Sequence, residues 1–306
     1  MDFIIALPNT KYYLWQILVQ INNFKKFNYD DNLTYVIGYV EDGLPYEEIE
    51  KIVELTGVKF YFYKDKRKSK KYPSSLRPNI LKQHFERYPY KYKTFLYLDP
   101  DVIFTSKINF GIYDRNDSWY ASDTTSYINS KYIKSKSEEL FNKMCKIVDI
   151  DKSLVEENDK NAGGAQYIMK NVDYKFWEKV EKDSEDLYHL MISTEKKYKP
   201  NHPIQSWTAD MWAVLWNAWY FNNDVKVVKG LDFAWATDNI KEADNKSILH
   251  MAGMFSDPKA FNKINYSGDK TPFMVNINKD DNKEYVVYKY IEEIEDTMIN
   301  YQHLLF

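Results

Sequence analysis

The chain has 306 residues with 42 Lys and Arg against 45 Asp and Glu, a formal charge of −3, which excludes a disordered polyelectrolyte and a generally basic nucleic-acid coat. Hydrophobic residues make up 44% and aromatics 17%, enough apolar area for one large α/β unit or two ordinary ones. The single cysteine, Cys145, excludes a disulfide framework and a cysteine-based zinc site, and its apolar helical setting predicts inert core packing.

Short β-like runs alternate with helical patterns over the first hundred residues, the signature of a parallel sheet with crossover helices. The N-terminal run is too short for a signal peptide or anchor and reads as a first strand, residues 3–7. Residues 11–24 carry Leu14, Ile17, Leu18 and Ile21 at helical spacing. Strands are expected at 33–40, 58–63 and 94–98, with helices at 46–55 and 74–87, the latter capped by Ser74 with Pro78 early enough to be tolerated. After Asp99-Pro100-Asp101 the chain continues extended through 102–104. Residues 114–160 read as polar and irregular around one helix, 137–148. A strand at 165–169 follows a glycine pair, then helices at 174–191 and 209–220, strands at 225–228 and 248–251, and a closing helix with its strand over 282–301. With no repeat or linker, a single compact body with a mostly parallel central sheet flanked by helices is expected.

Asp99 and Asp101 bracket one residue at the carboxyl end of an apolar strand, the edge at which open α/β sheets bind ligands. An Asp-Pro pair also simply ends strands as a turn. Here, however, the carboxylates lie between the apolar runs 95–98 and 102–104, an expensive placement unless a cation neutralises them. Both can converge on Mg²⁺ or Mn²⁺ with a diphosphate, Asp99 facing it, and His250 on the apolar run 248–251 is a candidate third ligand. Lys259 then offers a point charge to phosphate, and Arg77, near a helix N-terminus, suits a diphosphate or a base.

In Asn161-Ala162-Gly163-Gly164-Ala165-Gln166 the near absence of side chains lets backbone approach a ligand, with Asn161 and Gln166 available to a sugar hydroxyl; an ordinary turn is the plainer reading. Asp210 lies in the first turn of a helix carrying Trp212, Trp216 and Trp219, with Thr208 as N-cap, and serves either as a capping carboxylate or as one aimed into a cleft. Residues 64–71 hold six basic residues against one acid, bordered by Tyr61, Tyr63 and Tyr72. Such a run is a solvated loop or a surface for a polyanionic acceptor, and these tyrosines are the ring candidates for touching a ligand.

Together the Asp-Pro-Asp strand end, the Asn161–Gln166 block, Trp207-Thr208-Ala209-Asp210-Met211-Trp212 and His250 resemble GT-A glycosyltransferases. The resemblance is to plant hydroxyproline O-arabinosyltransferases and serine O-galactosyltransferases, over residues 1–260. It implies a UDP-sugar donor, Mn²⁺ or Mg²⁺ held by Asp99, Asp101 and His250, and retention of configuration. Asp210 and Gln166 are then the candidate catalytic residues, Asp210 as stabiliser of an oxocarbenium-like centre or as transient nucleophile, and Gln166 with Asn161 orienting the sugar. Gly163 and Gly164 would meet the donor, and Pro8, Asn9 and Thr10 the nucleoside.

The resemblance divides the chain into a nucleotide-binding half, 1–108, a sugar and acceptor half, 109–260, and a C-terminal extension, 261–306. The AT-rich codons of the abundant Lys, Asn, Tyr and Ile add a similarity to bacteriophage enzymes that place arabinose on 5-hydroxymethylcytosine. This implies UDP-arabinose, a DNA acceptor met by loop 64–71, and a cytoplasmic enzyme with no membrane or obligate protein partner. Transfer of galactose or another sugar to a glycan or protein hydroxyl, and a non-enzymatic nucleotide-sugar-binding module, are the alternative readings.

Overall fold

The apolar run Asp2–Pro8 is buried on both faces and forms β1, as a central strand of an α/β sheet must. In this computed structural model residues 1–40, 47–89, 91–199, 201–268 and 270–305 are described, so Tyr46 of the second expected helix, and Asp269 and Phe306 of the C-terminal extension, lie outside them. Next come α1 (Lys11–Phe27), closed by left-handed Asn28, then β2 (Leu33–Tyr39), α2 (Glu47–Thr56), β3 (Lys59–Lys64), α3 (Leu76–Arg87), β4 (Thr94–Tyr97) and β5 (Val102–Phe104). The middle of the chain supplies β6 (Trp119–Asp123), α4 (Thr125–Ile128), α5 (Ser130–Lys136), α6 (Glu138–Val148), α7 (Lys152–Glu157), β7 (Gly163–Lys170), α8 (Tyr174–Thr194) and α9 (Ala209–Tyr220). The chain then runs through β8 (Val225–Val227), β9 (Phe233–Trp235), β10 (Ile248–His250) and α10 (Val287–Leu305).

Seven strands form a mixed sheet in the order β3-β2-β1-β4-β7-β6-β8, in which β7 runs antiparallel to β4 and β6; the other three form a small sheet, β5-β10-β9. The chain divides into two units. Unit 1 comprises Met1, 63–97 and 111–229; unit 2 comprises 2–62, 98–110 and 230–306. Residues 1–108 thus contribute to both, and 230–306 joins the N-terminal strands. Unit 1 is built on α3, α8 and α9, with Trp177, Trp212 and Trp216 fully buried. Unit 2 holds an aromatic cluster of Phe3, Phe24, Tyr29, Phe104 and Phe110 with ring centroids 5.0–6.3 Å apart. Among the described residues no helix is long and apolar enough to cross a membrane.

Three expectations need correction. Ser74 does not cap α3: Pro73 presets a 3₁₀ turn, Pro73–Ser75, and Ser75 takes the cap position while its hydroxyl bonds to the Tyr72 carbonyl and Glu185 instead. The stretch 114–160 is not irregular around one helix; it also holds β6, which is only partly apolar, and α4, α5 and α7, each under two helical turns and so too short to show a period. The side chains of Asn129, Ser137 and Asp151 cap α5, α6 and α7. Near the C-terminus no strand precedes the helix among the described residues, only a bridge between Asn239 and Tyr285.

Candidate active site

In unit 2, antiparallel pairing sets His250 of β10 opposite Val102 of β5, and the Met251 amide donates to the Asp101 carbonyl at 3.1 Å. A residue 149 positions after Asp101 is thereby delivered beside it. His250 Nε2 lies 3.4 Å from Asp101 Oδ1 and 3.6 Å from Asp99 Oδ2, and one ligand atom from each of the three residues falls within 4.8 Å of the others. Two carboxylate oxygens and one imidazole nitrogen make a donor set that fits Mn²⁺, or Mg²⁺ with more water. Asp99 is half-buried, which leaves a face for a ligand. Asp101 is only 3% exposed, and burial alone would raise its carboxyl; the Lys263 ammonium and His250 outweigh this and hold it well below the usual carboxylate range.

Lys263 pairs directly with Asp101. Sequence reasoning passed over it, because it lies thirteen positions beyond His250 on an irregular segment. Also passed over were two polar residues inside α1. Gln20 Nε2 donates to the carbonyls of Asp99 (2.9 Å) and Val102 (3.0 Å), and Gln20 Oε1 accepts from the Tyr35 hydroxyl at 2.8 Å. Asn23 brackets Phe104, donating to its carbonyl at 3.0 Å and accepting its amide at 2.8 Å. The helix period gave no warning of them: both lie off the stripe of Leu14, Ile17, Leu18 and Ile21, where polar residues are ordinary, and they are buried because α1 is covered on all sides from Trp15 to Phe24.

In unit 1 Arg77 and Asp210 meet as an ion pair. The Tyr72 hydroxyl lies 2.7 Å from Asp210 Oδ1 and 2.8 Å from the Trp207 carbonyl, and it accepts the Asp210 amide at 3.0 Å. Burial, reinforced by Asp210, raises the Tyr72 phenol well above its ordinary value, so it stays a neutral donor. Thr208 occupies the N-cap position of α9, but its hydroxyl donates to the Gln205 carbonyl instead of capping.

The glycine pair lies within strand β7, not before it, while Asn161 ends the 3₁₀ turn that leads in. Gly163 and Gly164 pair with Asp123 and Ser122, and Ala165, at φ +60°, begins a bulge that restores pairing at Tyr167. Gln166 is fully buried and accepts from the Ser122 hydroxyl at 2.6 Å; Asn161 accepts weakly from the Val227 amide at 3.4 Å. In unit 2, Pro8 ends β1, the Asn9 amide donates to the Gly38 carbonyl, and exposed Thr10 opens α1. Lys259 is exposed, with its amide bonded to Asp257.

Of the three tyrosines bordering the basic run, Tyr61 is half-buried, and the other two are not free to stack on a ligand as expected. Tyr63 is buried 2.9 Å from His84 Nδ1, and Tyr72 stacks on Tyr188 at 4.5 Å; both belong to the core. Cys145 is buried, which pushes its thiol up to about 12, as inert packing requires.

No family model matches the chain, and no curated protein does. Among solved structures, the chain is similar to the apo form of the WbbM bifunctional glycosyltransferase, with a TM-score of 0.52 at 12% identity over 96% of this chain and 49% of that one. It thus spans about half the length of that enzyme. Lesser likenesses are to apo mouse xyloside xylosyltransferase 1 (TM-score 0.42, 10% identity, 82% and 97% covered) and to GlyE of Streptococcus pneumoniae TIGR4 (0.42, 12%, 87% and 60%). The fold is that of a glycosyltransferase, the mixed α/β arrangement that the sequence resemblance implied.

Proposed function

We propose that the protein is a metal-dependent glycosyltransferase that uses a UDP-sugar donor with retention of configuration. The observation that carries this is the convergence of Asp99, Asp101 and His250 at one strand end of a glycosyltransferase fold. These three residues would hold the divalent cation, which when bound supplies charge neutralisation for a departing diphosphate. Lys263, already at Asp101, adds a fixed positive charge, and Gln20 keeps the Asp-Pro-Asp backbone in place for the next turnover. In the transfer the bond from the anomeric carbon to the diphosphate oxygen breaks, and a bond to the acceptor oxygen forms. The acceptor's proton leaves with the diphosphate. Asp210, held by Arg77 and Tyr72, is the candidate stabiliser of the cationic sugar. UDP-arabinose and 5-hydroxymethylcytosine in DNA are the donor and acceptor that the sequence resemblance favours.

The test is UDP release from UDP-arabinose, UDP-galactose, UDP-glucose and UDP-xylose with Mn²⁺ or EDTA, followed by mass spectrometry of nucleosides from hydroxymethylated DNA. One donor should give metal-dependent release, lowered about a hundredfold or more in Asp101→Asn. Full activity in that variant, or no release from any donor, would overturn the reading; release without a pentose-shifted cytosine would remove the DNA acceptor alone.

A further inference from the structure

Of the eight tryptophans, six are buried and Trp235 is half-buried; Trp207 alone stands in solvent, 61% exposed. Its backbone is tied to the core. Trp207 sits in the 3₁₀ turn Ser206–Thr208, and its carbonyl is held at 2.8 Å by the hydroxyl of Tyr72, itself 2% exposed. An indole kept in water on a hydrogen-bonded support is a large apolar face that stacks on no other ring among the described residues.

The same tyrosine anchors the basic run. Arg67 Nη1 donates to the Tyr72 carbonyl at 2.8 Å, to the Pro73 carbonyl at 3.2 Å and to Ser75 Oγ at 3.0 Å, while its other nitrogens fork onto Asp65 at 2.9–3.0 Å. The loop is pinned again at the Lys64 carbonyl by Gln83 (3.0 Å) and at the Lys66 amide by Asn79 (3.2 Å). Arg67 is thus internal bracing that cancels Asp65. Lys64, Lys66, Lys68, Lys70 and Lys71 remain exposed on an ordered loop. Five ammonium groups carried on eight residues repel one another, and a backbone braced at Lys64, Lys66 and Arg67 keeps that charge together, as suits a densely charged anion.

We propose that Trp207 and the lysine loop 64–71, joined through Tyr72 within unit 1, form a docking surface for single-stranded nucleic acid, with a base stacked on the indole and phosphates on the lysines. The two features together select this class. An anion on every unit of the strand matches the lysine density, and only an unstacked strand can offer a base face, since a duplex keeps its bases inside. The inference rests on the glycosyltransferase reading only in calling that strand the acceptor; docking itself needs neither donor nor cation.

The experiment uses the full chain without metal or nucleotide sugar and titrates a sixteen-residue oligothymidylate, its duplex with oligodeoxyadenylate, inorganic polyphosphate and dextran sulfate. Acrylamide quenching of tryptophan emission reports Trp207, and the single strand should shield it where polyphosphate does not. Trp207→Phe should weaken oligothymidylate binding about tenfold while leaving polyphosphate binding unchanged. Lys68→Ala/Lys70→Ala/Lys71→Ala should weaken both and reduce the salt slope by about two. Equal affinity for polyphosphate and oligothymidylate in wild type and Trp207→Phe would overturn the proposal, as would tighter binding of dextran sulfate or of the duplex, or binding indifferent to lysine removal. UDP release by wild type is read separately. Docking without release would sink the enzymatic reading alone, and release without docking would sink this inference alone.

Discussion

A β-carbon added at Gly163 would stand 2.5 Å from Ala121 Cβ and 3.0 Å from the Ser122 carbonyl, atoms that cannot retreat without moving β6. At Gly164 the nearest atom, 2.8 Å away, is the terminal methyl of Met211, which can swing aside, although Thr124 Oγ1 follows at 2.9 Å. Both glycines are therefore required by strand pairing and packing, whatever else they do. Gly163→Ala should cost about 1–3 kcal/mol in urea unfolding and Gly164→Ala less. A Gly163→Ala protein as stable as wild type but weak in UDP-sugar binding would instead favour the donor-contact reading of the pair. At this scale the sequence was legible where chemistry and context disagreed. Two carboxylates between apolar runs pointed to the Asp99, Asp101 and His250 cluster, whereas the glycine pair looked the same whether it served a ligand or the sheet. Lys263 was invisible because its partner is set by the path of an irregular segment, and no periodic signal marks that path.

Long elements were readable because burial repeats along them: α9 was expected over the residues it occupies, and α1 was found with three residues added at its end. Among the short elements, α4 and α7 offer less than two helical turns and β9 a single alternation, and these gave no signal, whereas the apolar runs of β5 and β10 could be read despite their length. The candidate site depends on both kinds. Short strands β5 and β10 bring Asp101 and His250 together, and long α1 steadies them through Gln20, buried completely and bonded to three groups. Gln20→Leu keeps the volume and removes all three bonds, leaving two carbonyls and a hydroxyl to find new partners. It should cost about 1–3 kcal/mol in stability. Because the Asp-Pro-Asp turn loses its anchor, Mn²⁺ affinity measured by calorimetry should also fall about tenfold. A variant that is destabilised yet binds Mn²⁺ as wild type does would confine Gln20 to folding.

Over the whole molecule, each unit collects segments from distant parts of the chain, an arrangement no linear boundary announces. Its net charge is close to zero, so general self-repulsion changes little near neutrality, and individual buried groups govern the response to acid. His84 in unit 1 is fully buried between the hydroxyls of Tyr63 (2.9 Å) and Tyr92 (3.2 Å). Burial, with Lys91 and Arg87 adding to it, lowers its imidazole to about 3 from an ordinary 6.5. The neutral ring is thus favoured in the folded state, while the unfolded chain takes up a proton below pH 6.5. Its contribution is complete above pH 6.5, declines as pH falls, and is exhausted near pH 3. The steepest loss from this one group is about 1.4 kcal/mol per pH unit. The depressed Asp101 carboxyl acts in the same direction, but only below the ordinary carboxylate range. Between pH 6.5 and 4.5 the decline in unfolding free energy, followed by urea denaturation, should therefore flatten in His84→Gln, which keeps a donor and an acceptor without a titrating ring. An unchanged slope in a folded His84→Gln protein would place the acid sensitivity elsewhere in the chain.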